Sequence, residues 1–164
     1  MKAVADAGPV IHLSWIARLD VLRGVFEQTF IPLAVREEVL SVPNRTPGVD
    51  EIRQAIDQKH LLVMPLPGTQ VTLPGFTALG AGEREAILLF EELGADLLIT
   101  DDALARQAAA VRGIKTTGTL GVLKAAQAKG LIPAVVPLAL ELRRRGQCIS
   151  ENLIQELLRD EGSG

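Results

Sequence analysis

Residues 83–102, EREAILLFEELGADLLITDD, decide how this chain folds. Ala86, Ile87 and Phe90 follow Glu83 at its +3, +4 and +7 positions, which is the spacing of one helix face. Gly94 stands where a left-handed residue closes a helix, so a helix is predicted from Glu83 to Leu93. Asp96 to Thr100 reads as a strand buried on both sides, because LLIT is a nearly continuous apolar run. Asp101 and Asp102 follow at once, and Asp102 to Arg112 is again helical, closed by Gly113. Helix, strand and helix in succession imply a parallel sheet with right-handed crossovers. Ligands in such folds bind outside the carboxyl ends of the strands. The acids after LLIT therefore lie where chemistry is expected.

Working outward gives the same alternation. Lys2 to Ala5 is a short strand ending in Asp6, ahead of Gly8 and Pro9. Pro9 suits the first turn of a helix, which is predicted over Val10 to Phe26 with a break near Ala17 to Asp20. Thr29 to Ile31 is β-prone, and Pro32 opens a helix reaching about Leu40. Ser41 to Gly48 is a loop, Val49 to Lys59 an amphipathic helix, and Leu61 to Met64 a buried strand. Pro65 to Gly82 is a long loop, a feature that in compact domains is often functional or weakly ordered. Downstream come a strand at Ile114 to Thr116, a helix at Leu120 to Lys129 closed by Gly130, and helices near Ala134 to Arg145 and Ser150 to Arg159. The expectation is a three-layer α/β/α fold with a central parallel sheet, helices on both faces and C-terminal helices. One domain is expected over 1–164, with an α/β core at 1–130, a helical extension at 131–161 and a disordered end at 162–164.

Composition narrows the function classes. Hydrophobic residues make up 48% and charged residues 23% of the 164, so most of the chain has the means to bury a core. The single cysteine, Cys148, excludes an intramolecular disulfide and a Cys-rich zinc site, and it lacks a neighbour that would activate a thiol. An acid at position 6 comes too early for a signal peptide, and no apolar run approaches the ~18 residues of a membrane helix. A cytoplasmic protein with no membrane partner is expected. A net charge of −3 and a pI near 5.4 argue against strong non-specific nucleic-acid binding, yet leave room for a nuclease whose positive field comes from bound metal. Aromatics at 3% supply no stacking platform for bases. There is no GxxxxGK[ST], and no GxGxxG after the first strand, so neither common nucleotide loop is present.

Four acids carry the chemistry. Asp6 and Asp101 each follow a predicted strand and belong at the carboxyl edge of the sheet, with Asp102 beside the second. Asp101 or Asp102 could equally be a helix N-cap, and Asp6 a turn residue before Gly8. In LAVREEVL, Glu38 lies three residues after Val35 and next to Val39, so it leans toward the apolar stripe while Glu37 points to solvent. Glu83 shares the inward stripe of its helix, and Glu85, about 200° away, should be exposed. A first-turn acid favours the helix dipole, which explains the position of Glu83 along the helix but not its face. Inward acids are costly unless paired; the local bases are Arg36, Arg84 and Arg106. Converging carboxylates repel and raise one another's pKa unless a cation neutralises them. Hard oxygen ligands select Mg²⁺ or Mn²⁺ over zinc.

These residues also carry a resemblance. VADAGPVI with Asp6, VREEVL with Glu38, GEREAILLFEELGADLLITDD with Glu83 and Asp101, TGTLGVL, and the tail GQCISENLIQELL resemble PIN-domain proteins, and among them the DUF3368 type of predicted nucleic-acid-binding, PIN-like protein. The resemblance covers nearly the whole chain. It implies a parallel sheet with flanking helices and a Mg²⁺- or Mn²⁺-dependent ribonuclease site like that of VapC-type toxins. Asp6, Glu38, Glu83 and Asp101 then correspond to the family's catalytic, metal-binding acids, Asp102 to an auxiliary acid, and Thr100 or Thr119 to supporting hydrogen-bonding groups. It further implies an RNA substrate, a small antitoxin protein as partner, and a homodimer. The chain departs from many PIN nucleases in having Glu, not Asp, at the third acid.

The remaining features read more simply. Arg143, Arg144 and Arg145 form a solvated helix end, His12 and His60 are isolated, and Trp15 belongs to the core. An aspartyl-phosphate receiver is set aside, because Pro65 follows Met64 where that fold needs an acid. The competing class is a catalytically weak or inactive module that keeps the fold and binds a protein or RNA. Arginines satisfying the inward acids would favour it.

Overall fold

The protein is described from a computed structural model, which covers residues 1–41, 43, 46–67 and 77–163. Strands β1 (Lys2–Ala5), β2 (Gln28–Pro32), β3 (Leu62–Met64), β4 (Leu97–Ile99) and β5 (Thr116–Thr117) form a sheet in the order β3-β2-β1-β4-β5. Every pairing is parallel, with Val4 opposite Phe30 and Leu98. The chain winds outward from β1 to β3, then returns to the other side of β1 for β4. The order thus reverses between β1 and β4, and the carboxyl ends of these two strands flank the crevice where such sheets bind ligands.

Strand alternation builds two apolar layers. Ala3, Ala5, Ile31 and Ile99 face one way, into a cluster with Val10 and Leu13 of α1 (Ala7–Trp15), Leu22 of α2 (Asp20–Val25), Val35 and Val39 of α3 (Leu33–Leu40) and Ile52 of α4 (Val49–Asp57). Leu123 of α7 (Thr119–Ala128), Leu142 of α8 (Val136–Arg144) and Ile154 and Leu157 of α9 (Glu151–Gly162) join the same cluster. Val4, Phe30 and Leu98 face the other way, against Ala86, Ile87 and Leu89 of α5 (Ala81–Leu93) and Ala105, Ala108 and Ala109 of α6 (Ala103–Val111). This is the three-layer α/β/α arrangement expected from the buried strands. Among the described residues no helix is long and apolar enough to cross a membrane.

Several boundaries differ from the sequence reading. Helix α1 begins at Ala7, three residues before the predicted start, because Asp6 caps it. The predicted break is real: α1 ends at Trp15 and Ala17 takes a φ of 51° before α2 begins at Asp20. Strand β5 lies at Thr116–Thr117, while Ile114 packs under α6. Helix α9 runs on to Gly162, and Ser163 Oγ donates to the Arg159 carbonyl at 2.8 Å. Positions 68–76 of the long loop, and Gly164, lie outside the described residues.

Candidate carboxylate site

Asp6 is the first residue past β1, and its amide donates to the Ile99 carbonyl at 2.9 Å, so the end of β4 fixes its backbone. Its side chain is 5% exposed. One carboxylate oxygen accepts from the Ala7 N–H at 2.7 Å, and the other from Thr100 Oγ1 at 3.0 Å. Two donors do not replace bulk water for a carboxylate. Burial pushes the Asp6 carboxyl up from 3.8 to about 6, against the lowering effect of Ala7 and Thr100 and with further upward pressure from Glu83 and Glu38.

Glu38 and Glu83 approach Asp6 from the other side of β1, across the N-terminus of α5. Gly82 is the point of closest approach. A Cβ built there would lie 3.0 Å from Glu38 Oε2, 3.3 Å from Val35 Cγ2 and 3.6 Å from Asp6 Oδ1. No side chain fits that position without moving its neighbours. Desolvation raises the Glu38 carboxyl, and Glu83 raises it further. The Glu83 carboxylate curls back over Gly80, where a Cβ would meet Oε2 at 2.5 Å. Glu38 and Glu83 open onto a cleft of ≈ 430 Å³ that Ser41, Gly80 and Gly82 also line. Among the described residues none of the ion pairs involves Asp6, Glu38 or Glu83. Arg84 donates instead to the Leu79 carbonyl at 2.9 Å, and Arg106 Nε to the Thr100 carbonyl at 3.1 Å.

Asp101 ends up in different company. His12 Nδ1 stands 2.7 Å from one of its oxygens, Thr119 Oγ1 donates to the same oxygen at 2.5 Å, and the Thr119 N–H donates to the other at 2.8 Å. Gln147 Nε2 lies at 3.4 Å. Burial pushes this carboxyl up, but the His12 and Thr119 bonds and the His12 charge outweigh it, and the net shift is downward. Asp102 serves as the N-cap of α6, its Oδ1 accepting from the Ala105 N–H at 2.7 Å. Thr100, fully buried, links the groups: its hydroxyl donates to Asp6 and accepts from the Asp102 N–H at 3.2 Å.

The structure thus places Asp6 and Glu38 beside Gly82, turns the Glu83 carboxylate back over Gly80 on the same cleft, bonds Asp101 to His12 and Thr119, and sets Asp102 as the cap of α6. Among the described residues no three acidic, histidine or cysteine side chains already converge on one metal-holding point. The donor set nevertheless fits a hard divalent cation: the three carboxylates lack a described ionic partner, and two of them are held above the ordinary carboxylate range.

Three sequence expectations need correction, and the first is His60, which is not isolated: its Nε2 lies 2.9 Å from Arg23 Nη1. Glu85 is half-buried, not exposed, and accepts from the Ala34 N–H at 3.0 Å, an otherwise uncapped amide at the start of α3. His12 is not isolated but is the partner of Asp101, with its ring 5.0 Å from that of Trp15. The signal for that pairing is the start of α1 at Ala7, which sets Gly8 and His12 one turn apart and turns both toward Asp101. Gly82 has a single sequence signal, its place directly before Glu83.

Comparison with known proteins agrees with this architecture. The DUF3368 family model, described as a PIN domain, matches residues 2–163, and the chain belongs to that family. No curated protein matches. Among solved structures, a PilT N-terminus domain protein from the hyperthermophilic archaeon Sulfolobus solfataricus P2 superposes with a TM-score of 0.55 at 20% identity, over 77% of this chain and 93% of that one. A domain of a functionally unknown protein from Methanocaldococcus jannaschii DSM 2661 gives 0.47 at 22% identity, over 71% of this chain and 89% of that one.

Proposed function

We propose that this PIN-domain chain is a divalent-metal-dependent nuclease that hydrolyses RNA phosphodiesters at the Asp6–Glu38–Glu83 edge. The observation that carries the reading is a buried carboxylate, Asp6, pushed up to about 6 by desolvation and two neighbouring acids, with no ion pair to a described basic side chain. Such an arrangement is unfavourable in isolation and becomes favourable once a cation arrives. PIN-family membership points to nuclease chemistry in general; RNA as substrate and Mg²⁺ or Mn²⁺ as cofactor are the finer reading.

Asp6, Glu38 and Glu83 would hold the ion. When bound, it would supply Lewis acidity toward the phosphate and a water that ionises near neutral pH. The chain's own residues do the rest. Thr100 and the Ala7 N–H fix both oxygens of Asp6, so that side chain is preorganised. Gly82 leaves the α5 backbone close to both Asp6 and Glu38, which keeps the acids near one another. Glu83 and Glu38 sit on the cleft side, where the strand would enter. The glutamate at the third position reaches further than an aspartate, and its carboxylate must swing off Gly80 to join the other two.

Calorimetric titration with Mn²⁺, with Asp6→Asn alongside, tests this. Binding by the parent that is lost in the variant, together with Mn²⁺-dependent cleavage of RNA, supports the reading. Absence of binding at millimolar Mn²⁺ would sink it and favour the non-catalytic interaction module.

A further inference from the structure

A second cleft, of ≈ 610 Å³, opens on the opposite flank of the same sheet edge, where His12, Asp101, Arg106, Gly118, Lys124 and Gln147 line it. It adjoins the carboxylate site through Thr100, whose hydroxyl holds Asp6 and whose carbonyl holds Arg106. We propose that this cleft seats the phosphodiester backbone of the RNA strand next to the bond being cut, with Arg106 and Lys124 as its charged groups. The proposal rests on the nuclease reading of the carboxylate site and assigns the neighbouring stretch of its substrate.

Three observations carry it. First, the cleft's one carboxylate is already satisfied: Asp101 is bonded to His12 and to both donors of Thr119, so it does not compete for the nearby cations. Secondly, Arg106 is oriented without being neutralised. Its Nε is committed to the Thr100 carbonyl, no described ion pair uses its guanidinium, and that group crowds against Gly118, where a Cβ would collide with it. Lys124, half-exposed, pairs with the exposed Asp160 at 3.0 Å, a surface pair that a phosphate can displace at little cost. Thirdly, Gly118 and Gly121 remove side chains from the cleft wall. A Cβ at Gly118 would lie 2.6 Å from Asp101 Oδ1, and one at Gly121 would collide with Thr117 Oγ1.

The lining also determines what is not read. None of the described lining residues is Phe, Trp or Tyr, and the one aromatic ring, His12, is committed through Nδ1 to Asp101, so the lining offers no extended base-stacking platform. The cleft recognises charge and backbone, and it should tolerate any sequence.

The test is fluorescence anisotropy with a labelled single-stranded RNA decamer and the full chain in EDTA, across a salt series. Arg106→Gln and Lys124→Gln should each weaken binding, and the double variant about tenfold or more. The slope of log affinity against log salt should flatten by about 0.7 for each phosphate that is no longer neutralised. Oligo-U and oligo-A decamers should bind within about threefold of each other, as expected for backbone recognition. A parent that does not bind the decamer at low salt overturns the proposal. So does a folded Lys124→Gln, Arg106→Gln double variant with unchanged affinity and slope, and so does AMP binding as tightly as the decamer, which would make a free nucleotide the occupant. Mn²⁺ calorimetry on the same proteins separates the two readings. Arg106-dependent RNA binding without any Mn²⁺ binding would remove the carboxylate reading and leave the cleft standing.

Discussion

Asp6 and Asp101 occupy near-equivalent places, at the carboxyl ends of the adjacent strands β1 and β4, yet their acidities move in opposite directions. Asp6 is 5% exposed and rises to about 6; Asp101 is 19% exposed and falls below the ordinary carboxylate range. Desolvation is the largest single influence on both, and the bonds around each decide the sign. Asp6 has two short donors and two acidic neighbours. Asp101 has two donors from Thr119 and an imidazole that adds charge as well as a hydrogen bond. One end of this edge lacks a described ionic partner, whereas at the other His12 and Thr119 supply the bonds that hold the carboxyl down.

The largest expected effect comes from removing the unsatisfied charge. A carboxyl raised to about 6 in the folded chain, against 3.8 when exposed, binds a proton on folding between those values. Its contribution is therefore present in full below about pH 4 and lost as pH rises through about 6, at a cost of up to about 3 kcal/mol above that. Asp6→Asn should remove metal-dependent cleavage, yet melt higher than the parent in EDTA at pH 8, with the difference vanishing toward pH 4. A variant that melts lower than the parent at pH 8 would show that Asp6 is not the strained group described here.

The opposite sign is expected at the other carboxylate. A depressed pKa contributes stability above the ordinary carboxylate value, and that contribution is lost as pH falls through the depressed one. Thr119→Val keeps the shape of a fully buried side chain but removes the hydroxyl bonded to Asp101. It should cost about 1–3 kcal/mol at pH 7 in urea unfolding, and less at pH 3. An equal loss at both values would mean that packing, not the Asp101 bond, is what Thr119 supplies.

Gly82 sharpens the contrast from the crowded side. Gly82→Ala places a methyl group 3.0 Å from Glu38 Oε2 and 3.3 Å from Val35 Cγ2. Pushing a ligand out of line should weaken Mn²⁺ affinity on the order of tenfold, while RNA binding in EDTA through the second cleft stays near the parent's. Unchanged Mn²⁺ affinity would remove Glu38 from the ion's coordination.

The fold is legible in the sequence because buried parallel strands and glycine-closed helices leave strong local patterns, as in LLIT and Gly94. The acids are legible as positions along the chain. Their division into three and one is not, because it depends on which donors the fold brings from elsewhere. His12 reaches Asp101 across 89 residues and Thr119 across 18. Glu85 looks exposed from its own helix, and no periodicity can announce the bare Ala34 amide of another. Periodicity reports a residue's face, whereas pairing across elements requires the sheet order.

Asp102 is the smallest test, and it bears on where the site ends. Its carboxylate accepts from the Ala105 N–H and its amide leans on Thr100, which is the geometry of a helix cap. Asp102→Ala should then cost about 1 kcal/mol of stability, the usual loss of an N-cap, with Mn²⁺ affinity within about twofold of the parent. Asp102→Asn should recover most of that stability, because an amide oxygen caps nearly as well. If both variants instead lost Mn²⁺ binding as Asp6→Asn does, Asp102 would leave its cap when the ion binds. The carboxylate site would then extend along the edge from Asp6 to Asp102.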